Sequence, residues 1–280
     1  MNSMCGMDKM HDIKWTAQTN PGRYRRNNED SFLLMMFDEC ELCYLGKEGR
    51  ALSGKNHFIF AVSDGIGGAE AGEYASQSAL RSISDLISRE LHRGRKVSQI
   101  DYNKILTAFC GQIHDAILKV SSHYQECCNM GATLSIGWIH QRVLYFAHLG
   151  DSRIYHLPSK GSIDQLTNDH TVAARKVREG KLSSEEARRH ASNNVLEKSI
   201  GSGRACSSPQ LGRLTLGKED RLVFCTDGVA DGITPYSVEK TVSKPPSYLK
   251  DLNPAEAVVK EALDASGKDN ITAIVVELCP

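Results

Sequence analysis

His57-Phe58-Ile59-Phe60-Ala61-Val62-Ser63-Asp64-Gly65-Ile66-Gly67-Gly68 is the stretch on which the reading of this chain turns. It runs as an apolar strand over 57–63 and then meets an acidic residue and a run of glycines. Two other apolar runs finish in the same way. Val143 to Leu149 leads into Gly150-Asp151, and Leu222-Val223-Phe224-Cys225-Thr226 leads into Asp227-Gly228, with Asp231 following. A fourth case is inverted, since Asp269-Asn270 stands directly before the strand-like run 271–278.

In an antiparallel sheet the end of one strand and the start of its neighbour share an edge. Asp269 can therefore stand beside Asp64 and Asp227 despite its reversed placement. Carboxylates converging on one edge repel each other, and hard divalent cations with oxygen ligands, Mg²⁺ or Mn²⁺, relieve that repulsion. Asp-Gly after a strand is also a common turn signal, so spacing alone leaves the turn and ligand readings both open.

Working outward, residues 1–14 read as a flexible N-terminal leader, and 15–280 as one domain. Strand-like runs at 31–37 and 57–63 are separated by a charged, glycine-containing stretch, 39–55, which is long for a hairpin and predicts an excursion from the sheet. Ala75, Ala79, Ile83, Ile87 and Leu91 fall on one face of a helix, and Ile105, Phe109, Ile113, Ile117 and Val120 on one face of a second. Short strands follow at 133–139, 143–149 and 153–156. The polar, helix-prone segment 170–205 includes a helix start capped by Ser183. Strands return at 212–216 and 221–225. A last helix is capped by Asn253, opened by Pro254 and ended by Gly267, before the closing strand 271–278. This order predicts an α+β fold of two packed antiparallel β-sheets flanked by α-helices, an α-β-β-α sandwich, rather than alternating βαβ units.

Composition narrows the function classes. Of 280 residues 40% are hydrophobic and 24% charged, an ordinary globular balance. Lys+Arg and Asp+Glu both number 34, so the chain lacks the positive excess of a general nucleic-acid binder. No apolar run approaches the roughly 20 residues needed to span a bilayer, and the polar N-terminus does not read as a signal peptide. The nine cysteines are expected as reduced thiols in a cytoplasmic protein. Cys40-Glu41-Leu42-Cys43 has a zinc-like spacing but no second ligand pair. His148 and His156 read as packed or surface residues, and His170 as a turn residue.

The motifs around the aspartates resemble those of the metal-dependent protein phosphatase family, the type 2C serine/threonine phosphatases, and look most like its bacterial branch. The resemblance is carried by Arg25-Arg26-Asn27-Asn28-Glu29-Asp30-Ser31 and by Asp64-Gly65-Ile66-Gly67-Gly68 with Gly72-Glu73 and Ala75-Ser76. Gly131-Ala132-Thr133-Leu134, Gly150-Asp151-Ser152-Arg153 and Leu166-Thr167-Asn168-Asp169-His170 continue it. Asp227-Gly228-Val229-Ala230-Asp231 and Asp269-Asn270-Ile271-Thr272 complete it. Each string is short, but all stand in the family's order, over about residues 18–278.

The resemblance implies a site. Asp64 would bridge two Mn²⁺ or Mg²⁺ ions, and the Gly65 carbonyl would bind one of them. Asp227 and Asp269 would complete the shell of the second ion, with Asn270 behind them. Asp151, with Asp231, would belong to a third and weaker ion. Arg25 would grip the substrate phosphate, and Glu29 would hold a water of the metal shell. Residues 170–205 would form a helical flap beside the site. Two cations about 3.5–4 Å apart can lower the pKa of a shared water toward neutrality, so phosphoserine and phosphothreonine in proteins would be hydrolysed with no phosphoenzyme. One departure matters. Some family members carry histidine after Asp-Gly as the proposed acid for the leaving alcohol, whereas Ile66 stands here. Water, another residue, or metal activation alone must then serve.

The implied partners are phosphorylated proteins, substrates of a cytoplasmic serine/threonine kinase, met by a monomer without nucleic acid or membrane insertion. Two rival readings share the same residues: an idle relative that binds phosphoproteins, and a hydrolase of small phosphomonoesters.

Overall fold

A computed structural model describes residues 12–92, 101–202 and 208–279, apart from the side chains of residues 69, 91 and 92. The leader over 1–11, Cys5, Cys206 and the Leu91 side chain thus lie outside the described residues. Two antiparallel sheets form the centre. The first orders its strands β10 (Asp164–Gln165), β9 (Arg153–Leu157), β12 (Arg221–Cys225), β13 (Ile271–Leu278), β1 (Asp12–Asn20) and β4 (Glu48–Leu52). The second orders β11 (Gln210–Thr215), β8 (Val143–Leu149), β7 (Leu134–His140), β5 (His57–Ile66), β2 (Asp30–Phe37) and β3 (Leu42–Tyr44), with the short β6 (Gly131–Ala132) on the end of β5.

The central strands read as continuous apolar runs because both of their faces are covered. In β5, Phe58, Phe60 and Val62 point between the sheets, while Ile59 and Ala61 face the helices. In β13, Ile274, Val276 and Leu278 share the inter-sheet layer, and Ile271, Ala273 and Val275 turn outward. The period of two along each strand therefore builds three buried layers. Helices α1 (Ala69–His92) and α2 (Tyr102–His123) close one outer layer through Ala75, Ala79, Ile83 and Ile87 and through Ile105, Phe109, Ile113 and Ile117. Helices α5 (Asp227–Gly232), α6 (Pro235–Ser243) and α7 (Pro254–Ala265) close the other. A reciprocal capping box between Asn253 and Glu256 opens α7, and Gly267 follows its end at φ +62°.

Two expectations change. Residues 12–14, read as leader, belong to β1, where 13–14 pair with 277–278 of β13 and 12–14 with 50–52 of β4. The stretch 39–55 is no excursion from the sheet. Its β3 pairs with β2 and its β4 with β1, so one crossing extends an edge of each sheet. Such a crossing is invisible to local periodicity, because each strand is short and half exposed. All seven cysteines among the described residues are free thiols.

The segment after Asp169 carries α3 (Val172–Arg178) and α4 (Ser184–Arg189), the latter opened by a capping box between Ser183 and Glu186. It is stitched down at both ends. Thr171 bridges to Leu196, Ile200 to Ala132, and Gly201 N–H donates to His114 Nδ1. Residues 203–205 of the expected flap lie outside the described residues.

Candidate metal centre

Asp64 and Gly65 are not in a turn. They continue β5, where Asp64 pairs with Asp30 of β2 and Gly65 with Ala132 of β6. Glycine is required here by close approach. A Cβ on Gly65 would lie 2.0 Å from the Gly72 carbonyl oxygen, and one on Gly72 would lie 2.8 Å from Glu29 Oε2. The first turns of α1 thus press directly on the strand end and bring the Glu29 carboxylate against it. Gly228 serves the same purpose on the other sheet, since a Cβ there would lie 2.0 Å from the Asn270 carbonyl oxygen. The Asp-Gly pairs are packing devices that let two chain segments meet beside a carboxylate.

Carboxylate oxygens of Asp64, Asp151 and Asp227 lie within 4.8 Å of one another. They arrive from three places: the end of β5, the turn after β8, and the first residue of α5, after β12 of the opposite sheet. Burial first, and then the charge of Asp227, push the Asp64 carboxyl well above its ordinary pKa. Burial and Asp151 do the same to Asp227. Asp151 is pushed up to about 7 by burial and the nearby Asp169. Anionic oxygens held this close in a desolvated place suit hard divalent cations, which take oxygen ligands and neutralise them together. The donor set therefore fits Mn²⁺ or Mg²⁺.

Asp269 lines the same cavity, of about 590 Å³, together with Arg25, Glu29, Asp64, Asp151 and Asp227. It stands outside the close trio. Its Oδ2 accepts from Arg25 Nη2 at 2.6 Å, and its Oδ1 from the Asn270 N–H at 2.8 Å. Asn270 ties this corner together. Its Oδ1 accepts from the Glu29 N–H at 2.8 Å, and its Nδ2 donates to the carbonyls of Pro21 and Asn27 at 2.9 Å each. The loop carrying Arg25 and Glu29 is thereby fixed to the residue beside Asp269. Asp151, expected at a third and weaker ion, is one of the close trio, and Asp231 is exposed and lines the neighbouring cavity.

Two residues around the site, Asp30 and Arg153, had no assigned role in the sequence, and a third, His170, was read as a turn residue. Asp30, opposite Asp64, is buried, and its Oδ2 accepts from Thr226 Oγ1 at 2.7 Å. Its Oδ1 has no hydrogen-bond partner among the described residues, and burial lifts its pKa to about 7. An orphaned buried oxygen beside Asp64 would be available to accept from water in the shell of a Mg²⁺ or Mn²⁺ ion. Arg153 forks onto Asp169, with Nε at 3.0 Å and Nη2 at 2.7 Å, which fastens the root of the 170–202 segment to β9. His170 adds a reciprocal clamp. Its N–H donates to the Gly150 carbonyl at 2.8 Å, and its Nδ1 accepts from the Gly150 N–H at 3.2 Å. Its ring stacks on His148, with centroids 4.8 Å apart. All three residues stood inside quoted motifs, but their partners are remote in sequence. His156, away from the site, pairs with Asp220 at 2.8 Å.

A carboxylate trio at the junction of two sandwiched sheets, with helices outside, defines a scaffold for metal-assisted hydrolysis. The family model of protein phosphatase 2C matches residues 50–265, more than half of the chain, and the chain belongs to that family. It is 26% identical over 262 residues to the serine/threonine phosphatase stp of Listeria monocytogenes, covering 93% of this chain and 94% of that one. It is 28% identical over 263 residues to protein phosphatase PhpP of Streptococcus pneumoniae, covering 93% and 95%. The crystal structure of the Mycobacterium tuberculosis phosphatase PstP/Ppp superposes with a TM-score of 0.77 at 26% identity, over 96% of this chain and 100% of that one. The catalytic domain of PstP in complex with two manganese ions superposes with a TM-score of 0.75 at 25% identity, over 96% and 100%.

Proposed function

We propose that this chain hydrolyses phosphoserine and phosphothreonine in proteins with the help of two Mn²⁺ or Mg²⁺ ions. The observation that carries this reading is the gathering of the Asp64, Asp151 and Asp227 oxygens within 4.8 Å, in a cavity also lined by Arg25. The named phosphatase relatives and the manganese complex of PstP support it. When bound, the ions supply a nucleophile at neutral pH from shared water and neutralise phosphoryl charge.

The chain's own groups do the rest. Asp64, Asp227 and Asp269 would hold the ions with the Gly65 carbonyl, and Asp151 with Asp231 would serve a third. The Arg25 guanidinium offers paired donors to two phosphoryl oxygens. Glu29 accepts a hydrogen bond from water in the cavity, and Asn270 keeps its backbone in place. Among the described residues no histidine lines this cavity, and Ile66 forms part of its wall. Protonation of the leaving seryl or threonyl oxygen then falls to water, to another residue of the cavity, or is dispensed with through metal activation alone.

Residues 12–279 act as one catalytic unit, with the segment from residue 170 to residue 202 as a flap beside the site. No helix among the described residues is long and apolar enough to cross a membrane. A monomer in the cytoplasm, opposing a serine/threonine kinase, suits a site built for protein phosphoesters. The intact acidic set speaks against an idle phosphoprotein binder. The test is release of phosphate from a phosphothreonine peptide with Mn²⁺ and its loss in EDTA. No release with any divalent cation overturns the reading, and activity that persists in EDTA overturns the role of the metals.

A further inference from the structure

A second cavity, of about 540 Å³, adjoins the first and shares Arg25, Asn194 and Asp269 with it. Its charges are of opposite character to those of the metal centre. Arg25, Arg188, Arg189 and Lys268 line it, against Asp231 and Asp269. Two of these cations are engaged, Arg25 with Asp269 and Arg189 with Glu185 in an exposed pair one turn away. Arg188 and Lys268 are exposed and have no hydrogen bond or ion pair among the described residues.

Basic residues in the last turn of a helix such as α4 are commonplace, because they complement its carbonyl end. That accounts for Arg188 and Arg189 but not for the convergence. Lys268 comes from the turn before β13, and Arg25 from the loop before β2, so three separate segments aim cations into one groove. Since Arg25 belongs to both cavities, a peptide whose phosphoresidue reaches the carboxylate trio must lay a flanking residue in or beside this groove.

We propose, resting on the phosphatase reading above, that the groove receives an acidic side chain of the substrate next to the phosphoresidue, and that Arg188 and Lys268 are specificity-determining residues selecting phosphosites in acidic sequence. A carboxylate there meets two cations that make no hydrogen bond or close ion pair among the described residues. A lysine in the same place is repelled by them.

The experiment compares one phosphothreonine peptide with glutamate, alanine or lysine beside the phosphoresidue. Wild-type protein is expected to favour glutamate over alanine by about five-fold in kcat/KM, the scale of exposed ion pairs, and to disfavour lysine. In the double variant Arg188→Gln, Lys268→Gln this ranking collapses through KM, and Arg188→Glu moves it toward lysine. Equal turnover of the three peptides by wild type, or an unchanged ranking in the double variant, overturns the proposal. Preference for a neighbouring phosphoserine over glutamate overturns its assignment to carboxylates. Fluorescence anisotropy of the same peptides on the Asp227→Asn protein reads the groove without turnover, and equal binding there overturns it too. Absence of phosphate release from every peptide, with glutamate still bound best, would overturn the phosphatase reading and leave the groove standing.

Discussion

Arg25 and Asp269, 244 residues apart in sequence, are joined by a 2.6 Å ion pair at the mouth of the carboxylate cavity. The pair sets a proposed phosphate ligand against a proposed metal ligand. Its side chains are 50% and 28% exposed, so in water the interaction is worth only about 0–1 kcal/mol. Arg25 can therefore exchange Asp269 for a phosphoryl dianion at little cost.

Replacing Arg25 should show that exchange in kinetics rather than in folding. Arg25→Ala is expected to change stability by less than about 0.5 kcal/mol and to raise KM about ten-fold or more, the scale of lost charge-assisted hydrogen bonds. Steady-state assays on a phosphothreonine peptide read both constants. An unchanged KM would remove Arg25 from phosphate binding.

Asp227→Asn should abolish turnover while the fold survives, because it deletes a ligand and relieves repulsion in a buried acidic cluster. Circular dichroism should match wild type, and the rise in Tm caused by Mn²⁺ in wild type should shrink or vanish. A variant that still turns over would displace Asp227 from the centre.

Close packing at the strand end predicts a contrast between two glycines. Gly65→Ala forces a Cβ to within 2.0 Å of backbone and should cost about 3 kcal/mol or more, with loss of metal binding. Gly111 lies in α2 with nothing within 4 Å of its would-be Cβ. Gly111→Ala should add about 0.5–1 kcal/mol. Urea unfolding measures both, and a tolerated Gly65→Ala would contradict the packing argument.

Metal-free protein should lose stability as pH rises above about 6.5. Asp30 and Asp151 are pushed up to about 7, and Asp64 and Asp227 well above their ordinary value, chiefly by burial. An unfolded aspartate titrates near about 3.9, so above that value the folded state holds more protons and a higher pH costs stability. Buried neutral histidines work the other way at lower pH. Burial lowers His57 and His148 to about 3 and His170 to about 4. Their effect is complete once the unfolded histidines deprotonate near about 6.5, and only the carboxylate effect continues beyond. In EDTA, Tm should fall from pH 6.5 to pH 8, and Mn²⁺ at one hundred times its Kd should return about 2.7 kcal/mol. A Tm in EDTA that rises over this window would contradict the sign.

Much of the fold was legible in local pattern. The strands Val143–Leu149, Arg221–Cys225 and Ile271–Leu278 fall where their apolar runs predict. The apolar faces of α1 and α2 are the ones that pack on β5 and β8, and the caps Ser183 and Asn253 act as expected. The illegible parts were short or long-range. β3 and β4 carry too few residues for a period to show, and β1 gains its meaning only from β13, at the far end of the chain. The site divides in the same way. Asp64, Asp151, Asp227 and Asp269 could be picked out as strand-end residues, but Asp30 looked like one more polar residue until β2 placed it opposite Asp64.

The sequence by itself determined the layers and the inventory of acids, since periodicity, caps and side-chain type are properties of neighbouring residues. Tertiary structure decided which acids meet. It set Asp64, Asp151 and Asp227 within 4.8 Å, turned Asp269 to Arg25, and made the Asp-Gly pairs points of backbone contact rather than turns. Those outcomes depend on strand register across two sheets, and register is fixed by packing between residues far apart in the chain.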